Sequence, residues 1–440
     1  MLFRTGNFNA HTKAGNIEKE IQKKIFFQLL TSDLDFKSSQ NNNLNRHYWH
    51  AFPAKFPPEI PRLFIENLTD KKAIILDPMA GSCVTLLEAA LLGREAIGFD
   101  IDPLSLIVGK AKFQNFKIET AYNEGNSVIQ RAAQLIQHCR EKLEEQLKTR
   151  FDEETSQFID YWFKKETQLE LLSLLIEIDK IPDEEIKLFY KLVFSGIIIT
   201  KNGGVTLARD LAHTRPHRVL TRTPGCALQE FSRKMFKNLQ NLKELPHSKL
   251  RLLEADAGNM PIDDETVDLI VTSPPYANNA IDYMRAHKFS LVWLGYNLKE
   301  LSRTRKKYIG SESIENTILE DLPAFSSKKV LQLKEINEKK GKSLHRYFSE
   351  MSQVLREMYR VLKPQKACVL VVASSVLCGI DVETQSCLAE IGQDHGFEVV
   401  HTGERSIDRN RRMMPASHLR NTSQIETRMH NEYVIGFWKP

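Results

Sequence analysis

The feature that most restricts the fold is an alternation of two periodicities. Seven apolar runs rich in β-formers are separated by longer stretches with helical spacing: AIILDPMAG (73–81), EAIGFDID (95–102), LRLLEADA (250–257), VDLIVTSPP (267–275), ACVLVVASS (367–375), FEVVHTG (397–403) and EYVIGFW (432–438). The helices are legible as well: TLLEAALLG, stopping on Gly93, and HRYFSEMSQVLREMYRVLKP, stopping at Pro364. Strands alternating with helices predict an α/β fold with a doubly wound seven-stranded sheet and right-handed crossovers. The last two runs have no helix between them, which predicts a C-terminal antiparallel hairpin at one edge. In a strand order 3-2-1-4-5 the first and fourth strands are neighbours at the switch point, where ligands bind in open α/β sheets.

The spacing of the runs also sets the domain plan. Residues 1–46 are polar, with SSQNNNLN as a low-complexity patch, and predict a loosely ordered start, with the packed part beginning near His47. Residues 47–112 and 250–440 carry the strands. Residues 113–249 read as helix, are too long for a crossover, and predict a helical insertion; 300–343 is a smaller polar insertion.

Composition narrows the class. With 42% hydrophobic and 27% charged residues the chain is an ordinary globular protein and not a disordered one. The first 20 residues lack an apolar leader, and the most apolar run, LFYKLVFSGIIIT (188–200), contains Lys191 and is too short to span a bilayer. No membrane association and a cytoplasmic location are expected. Six scattered cysteines without a C-x-x-C pair predict reduced thiols and no structural metal. Charge is uneven: residues 141–190 hold 7 Lys and Arg against 14 Asp and Glu, whereas 201–250 hold 10 against 3. Such a basic block suits a polyanionic partner.

Three strand ends carry acids. The first run leads through DPMAGSCVT into a helix, a small-residue loop that lets a ligand approach a helix N-terminus. It is not a dinucleotide fingerprint, because only Gly81 of the three glycines is present. Asp100 ends the second run, where an acid can accept hydrogen bonds from ribose hydroxyls, and Glu254-Ala-Asp256 ends the third. Three acidic ends in this order point to one adenosine-like ligand.

The fourth run stops on Ser273-Pro274-Pro275-Tyr276. Two prolines cannot donate ladder hydrogen bonds, and each fixes φ near −65°, so a stiff extended turn with outward carbonyls is expected. Taken with AKFPPEI, DPMAGS and GFDID, this turn resembles the S-adenosylmethionine-dependent DNA amino-methyltransferases, which act on cytosine N4 or adenine N6. Those enzymes carry D-P-F-x-G-S-G in the cofactor loop and [DNS]-P-P-[YFW] at the catalytic turn. Serine in the first position is typical of the cytosine-N4 type.

The resemblance implies a Rossmann-like methyltransferase sheet and S-adenosyl-L-methionine as cofactor. It implies cofactor contacts at Lys55, Phe56, Asp77, Pro78, Ala80, Gly81, Ser82, Asp100, Ile101, Asp256, Ala257 and Thr272, and a catalytic turn at Ser273, Pro274, Pro275 and Tyr276. The segment WHAFPAKFPPEI would close over the methionine part of the cofactor. Ser273 and the Pro274 carbonyl would accept hydrogen bonds from the two amino protons, and Tyr276 would stack on a base flipped out of duplex DNA. Candidate nucleic-acid contacts are Arg209, Arg215 and Arg218 in the central insertion, Arg303 and Arg305 in RTRKK, and Arg409, Arg411 and Arg412 in the final hairpin. The insertion 113–249 is the candidate for target recognition, and a cognate restriction endonuclease is an expected partner. Tyr283, Phe289 and Trp293 read as core by helical spacing.

One departure stands out: Cys83 occupies the second loop glycine, and it is expected at ordinary φ as a tolerated small side chain. Rival readings are adenine N6 methylation, an RNA amino-methyltransferase acting on guanine N2 or cytosine N4, and a catalytically silent sensor spoiled by Cys83.

Overall fold

In the computed structural model, which describes residues 9–36, 46–52, 55–200, 204–209, 211, 216–240, 242–277, 282–311, 319–406 and 431–440, all seven runs are strands. They are β1 Ile74–Asp77, β2 Glu95–Asp100, β3 Leu250–Glu254, β4 Val267–Thr272, β5 Leu362–Ala373, β6 Glu398–Ser406 and β7 Asn431–Trp438. They form one sheet of order β3-β2-β1-β4-β5-β7-β6. The first five are parallel, and β7 runs antiparallel to both β5 and β6. The predicted order is therefore present, with β1 and β4 paired at Leu76 and Ile270.

Burial on both faces explains why the strands read as continuous apolar runs. Ile75, Leu269 and Val271 pack on one side with Phe64 and Leu86; Leu76 and Ile270 pack on the other with Tyr347, Met351 and Leu388. Each such side chain contributes about 1.5–3 kcal/mol by leaving water. The helix predicted to stop at Pro364 ends earlier, at Val361, and β5 begins with Leu362. Pro364 therefore sits near the start of a strand, a position a residue without an amide hydrogen tolerates.

The start of the chain corrects an expectation. Instead of a loosely ordered segment, Asn9–Leu30 is a helix, and its Phe26 and Leu30 are fully buried with Val434 and Trp438 of β7. The close approach depends on two glycines: a Cβ on Gly436 would lie 2.1 Å from Leu30 Cδ1, and one on Gly403 would lie 2.4 Å from the Leu30 carbonyl oxygen. A short apolar stripe, Ile25, Phe26, Leu29 and Leu30, outweighs the polar average of the segment.

Within 113–249 the described residues form six helices: Ile118–His138, Arg140–Arg150, Glu153–Trp162, Lys165–Asp179, Glu184–Ile198 and Ala227–Leu239. Their core is continuous with Trp49, with Leu104 and Val108 after β2, and with Phe289 and Trp293 beyond the Ser-Pro-Pro-Tyr turn. Phe289 and Trp293 are thus core residues as expected. Among the described residues no helix is long and apolar enough to cross a membrane.

Candidate active site

The β1 loop is shaped by its own acids and amides. Gly81 has φ +49°, a left-handed value open to glycine without strain, and its amide donates to Asp100 Oδ2 at 2.7 Å. The other Asp100 oxygen accepts from the Asp102 amide at 2.8 Å, and Ala80 N donates to the Phe99 carbonyl at 2.8 Å. The loop is thereby stitched to the end of β2. Burial, and after it the neighbouring Asp102 carboxylate, pushes the Asp100 carboxyl up to about 7.

Asp77 works beneath the loop. Its carboxylate is buried, accepts from the Met79 amide at 3.2 Å and from the Thr272 hydroxyl at 2.6 Å, and is pushed up by burial to about 6. Thr272 is the last residue of β4, so this one bond joins the two loops at the switch point. Thr85 adds a second link, its hydroxyl donating to the Val271 carbonyl at 3.0 Å.

Cys83 does not have the ordinary φ expected of it. It is left-handed, φ 61° and ψ 41°, at the N-cap of the helix Val84–Leu91. That conformation costs a non-glycine residue about 1–2 kcal/mol. The thiol offsets part of this by filling a buried space: it is wholly enclosed, and a Cβ on Gly109 would lie 2.4 Å from its sulfur. Lys112, also fully buried and lowered by burial to about 8, donates to the preceding Ser82 carbonyl at 2.8 Å.

A pocket opens above this loop. Its walls include Lys55 and Phe56, the loop residues Pro78, Ala80, Gly81 and Ser82, then Asp100 and Ile101, Asp256 and Ala257, and Ser273 and Pro275. Ten of the twelve residues expected to contact a cofactor are therefore together; Asp77 and Thr272 lie below the wall and hold it up. Of the catalytic turn, Ser273 and Pro275 face the pocket while Pro274 is buried and Tyr276 stands outside its wall. The Tyr276 hydroxyl donates instead to Glu432 Oε1 on β7 at 2.9 Å.

Several wall residues escape motif reasoning. Phe52 and Asp102 lie inside WHAFPAKFPPEI and GFDID, at positions to which those motifs assign no contact; Tyr283, expected as core, lines the pocket, and Tyr308 comes from the polar insertion with no signal at all. The Phe52 ring sits 5.0 Å from that of His287 and 5.9 Å from that of Tyr283. Asp102 binds three elements: one oxygen accepts from the Leu104 amide, the other lies 2.5 Å from His287 Nδ1 and accepts from the Tyr308 hydroxyl at 2.8 Å. Burial alone would raise this carboxyl, but His287 and Tyr308 outweigh it and hold it below its ordinary value. Lys55 lines the wall while its ammonium donates to the His47 carbonyl at 2.6 Å.

The candidate DNA-side arginines are spread out. Arg209 is exposed and Arg218 lies 4.2 Å over the Tyr161 ring. Arg303 and Arg305 are exposed on the helix Leu298–Lys306, with Arg305 paired to Asp282. Arg215, Arg409, Arg411 and Arg412 lie outside the described residues.

The donor set suits a nucleoside sulfonium. Aromatic and aliphatic walls from Phe52, Phe56, Ile101 and Ala257 suit an adenine, and the carboxylates of Asp100 and Asp256 offer acceptors for ribose hydroxyls and an amino group.

Comparison with known proteins agrees. A family model described as DNA methylase matches residues 9–106. The chain is 24% identical over 407 residues to Type II methyltransferase M.MvaI of Kocuria varians, covering 86% of this chain and 87% of that protein. It is 25% identical over 411 residues to Type II methyltransferase M.BsoBI of Geobacillus stearothermophilus, covering 82% and 80%. A shorter stretch of 103 residues is 31% identical to Type II methyltransferase M.MjaII of Methanocaldococcus jannaschii, covering 23% and 19%. The family match, these relatives and the loop and turn motifs meeting at one pocket make the chain similar to the DNA amino-methyltransferases that use S-adenosyl-L-methionine as methyl donor.

Proposed function

We propose that the protein methylates the exocyclic N4 of cytosine in duplex DNA after flipping the base out of the helix. The observation that carries this reading is Ser273: the first residue of the turn is a serine, and it lines the same pocket as Gly81 and Asp100. S-adenosyl-L-methionine supplies an electrophilic methyl group there.

An amino group conjugated with a pyrimidine ring is a poor nucleophile, because its lone pair is delocalised. In the proposed reaction Ser273 Oγ and the Pro274 carbonyl accept hydrogen bonds from the two amino N–H groups and draw the nitrogen toward tetrahedral geometry; once the nitrogen carries the methyl, it loses one proton to Ser273 or water. Proline-fixed backbone dihedrals keep that carbonyl in place without reorganisation. Asp100 accepts from the ribose, and Phe52 and Phe56 confine the adenine. Aligning the reactants can remove several kcal/mol of the barrier. The Tyr276 ring stacks on the extruded base and recovers part of the roughly few kcal/mol spent on unstacking.

The helical insertion 113–249 is the proposed target-recognition region, supported by its basic block and by exposed Arg209. The type II names of the relatives support a restriction–modification setting in which an endonuclease is the partner.

Incubation with tritiated S-adenosyl-L-methionine and mixed-sequence duplex DNA, followed by digestion and mass spectrometry of the nucleosides, tests the reading. N4-methylcytosine is the expected product. N6-methyladenine would replace cytosine with adenine as the target base, and label confined to RNA would overturn the substrate altogether.

A further inference from the structure

The four-residue turn divides its labour. Ser273 and Pro275 face the cofactor pocket, whereas Tyr276 stands outside that wall and turns its hydroxyl toward β7. Its acceptor, Glu432, is 156 positions away in sequence. The second Glu432 oxygen accepts from Arg405 Nη1 at 2.6 Å, and Arg405 and Glu432 face each other across the β6–β7 ladder. Both side chains are nearly enclosed, at 6% and 12% exposure.

A buried ion pair is a poor stabilising device, since apolar residues of like volume often do as well or better. Here the pair has a specific consequence. Arg405 neutralises and fixes one carboxylate oxygen, and the other is aimed at the phenol. A phenol bonded to a fixed charged acceptor cannot swing, because any rotation of the Tyr276 side chain away from its site strands a buried carboxylate oxygen. A phenylalanine would fill the same space without that constraint.

We propose that Glu432, held by Arg405, is a positioning residue for methyl transfer: it locks the Tyr276 ring as the platform for the extruded base. This inference rests on the base-stacking role given to Tyr276 above.

The test uses the full chain and three readouts: calorimetric Kd for S-adenosylhomocysteine, melting temperature, and kcat and KM with tritiated S-adenosyl-L-methionine on unmethylated genomic DNA fragments. Tyr276→Phe and Glu432→Ala are each expected to lower kcat about tenfold through misplacement of the ring, with the Kd for S-adenosylhomocysteine unchanged. The double variant should be no slower than either single one, because both remove the same contact. Glu432→Gln keeps an acceptor oxygen and should recover most of the loss. Wild-type kcat in Tyr276→Phe, or losses that multiply in the double variant, would overturn the proposal. If Glu432→Ala fails to fold, Tyr276→Phe decides alone. Tyr276→Ala separates the two levels: near-normal turnover in that variant sinks base stacking itself, whereas loss in Tyr276→Ala beside an unaffected Tyr276→Phe sinks only the role of Glu432.

Discussion

The two loops that meet at the switch point are held by different means. The β1 loop is secured from within: Gly81 to Asp100, Asp102 to Asp100 and Met79 to Asp77 are all bonds to a loop or strand end within 19 positions. The turn after β4 is secured from without, through Thr272 to Asp77 and through Tyr276 to Glu432, which are 195 and 156 positions apart. A locally braced loop can present a preformed surface to a small cofactor. A turn braced from across the sheet stays aligned only while distant strands stay in register, which suits a part that must receive a large substrate.

That contrast can be broken most directly at Tyr276. Tyr276→Ala should lower turnover by at least ~100-fold while calorimetry finds cofactor affinity unaltered; weakened cofactor binding would mean the loops are not separable. On the other side, Asp100→Ala should weaken cofactor binding by roughly 10- to 100-fold, the range expected for lost hydrogen bonds to a charged acceptor. The Asp100 carboxyl sits near 7 in the free protein, and the ionised form is the better acceptor. Affinity should therefore be full above pH 7 and fall as the pH drops through that value, with a flat profile in Asp100→Asn. A smaller effect is expected where the loops are joined. Thr272→Val leaves the buried Asp77 carboxylate one donor short and should cost about 1–3 kcal/mol of stability in denaturant unfolding. Cys83→Gly sharpens the comparison by doing almost nothing: relief of left-handed strain and loss of the buried thiol nearly cancel, so stability should move by less than about 1 kcal/mol, with cofactor binding retained. A clear gain in affinity there would show the β1 loop to be strained in its working form.

What was readable in the sequence follows the same division. The strands come from short-range signals, period-two or continuous apolar runs, and Gly81, Asp100 and Asp256 from a small-residue loop and acids at strand ends; the other pocket-wall residues are what the family resemblance implies. Asp77 and Thr272 were legible as site residues, but their place beneath the wall was not, because it depends on parallel pairing of β1 with β4. Glu432 and Tyr308 had no signal, since a lone acid in a strand and a lone tyrosine in a polar insertion look alike whether or not they face a site. Cys83 keeps the left-handed φ of the glycine whose place it takes, because the turn into the helix Val84–Leu91 sets the backbone there, and neither its small size nor the intact flanking motif reveals this. The N-terminal helix was missed because a stripe of four apolar residues is diluted by its polar surroundings.

That helix also bears on how the chain reaches its native state. Lys23 pairs with Glu398, 375 positions later, and although Phe26 also meets Phe64 edge-on, its contact with Trp438 and the cover over Leu30 from Gly436 form only when β7 is in place. Contacts of such long range close late and slow the search, so the part of the stripe that meets β7 stays uncovered until that strand has joined the sheet. During that interval it is a natural client for chaperones, and the uncovered glycine-bearing hairpin of β6 and β7 is a sticky edge. Yield on expression should thus respond to temperature and chaperone supply more than to any residue of the pocket.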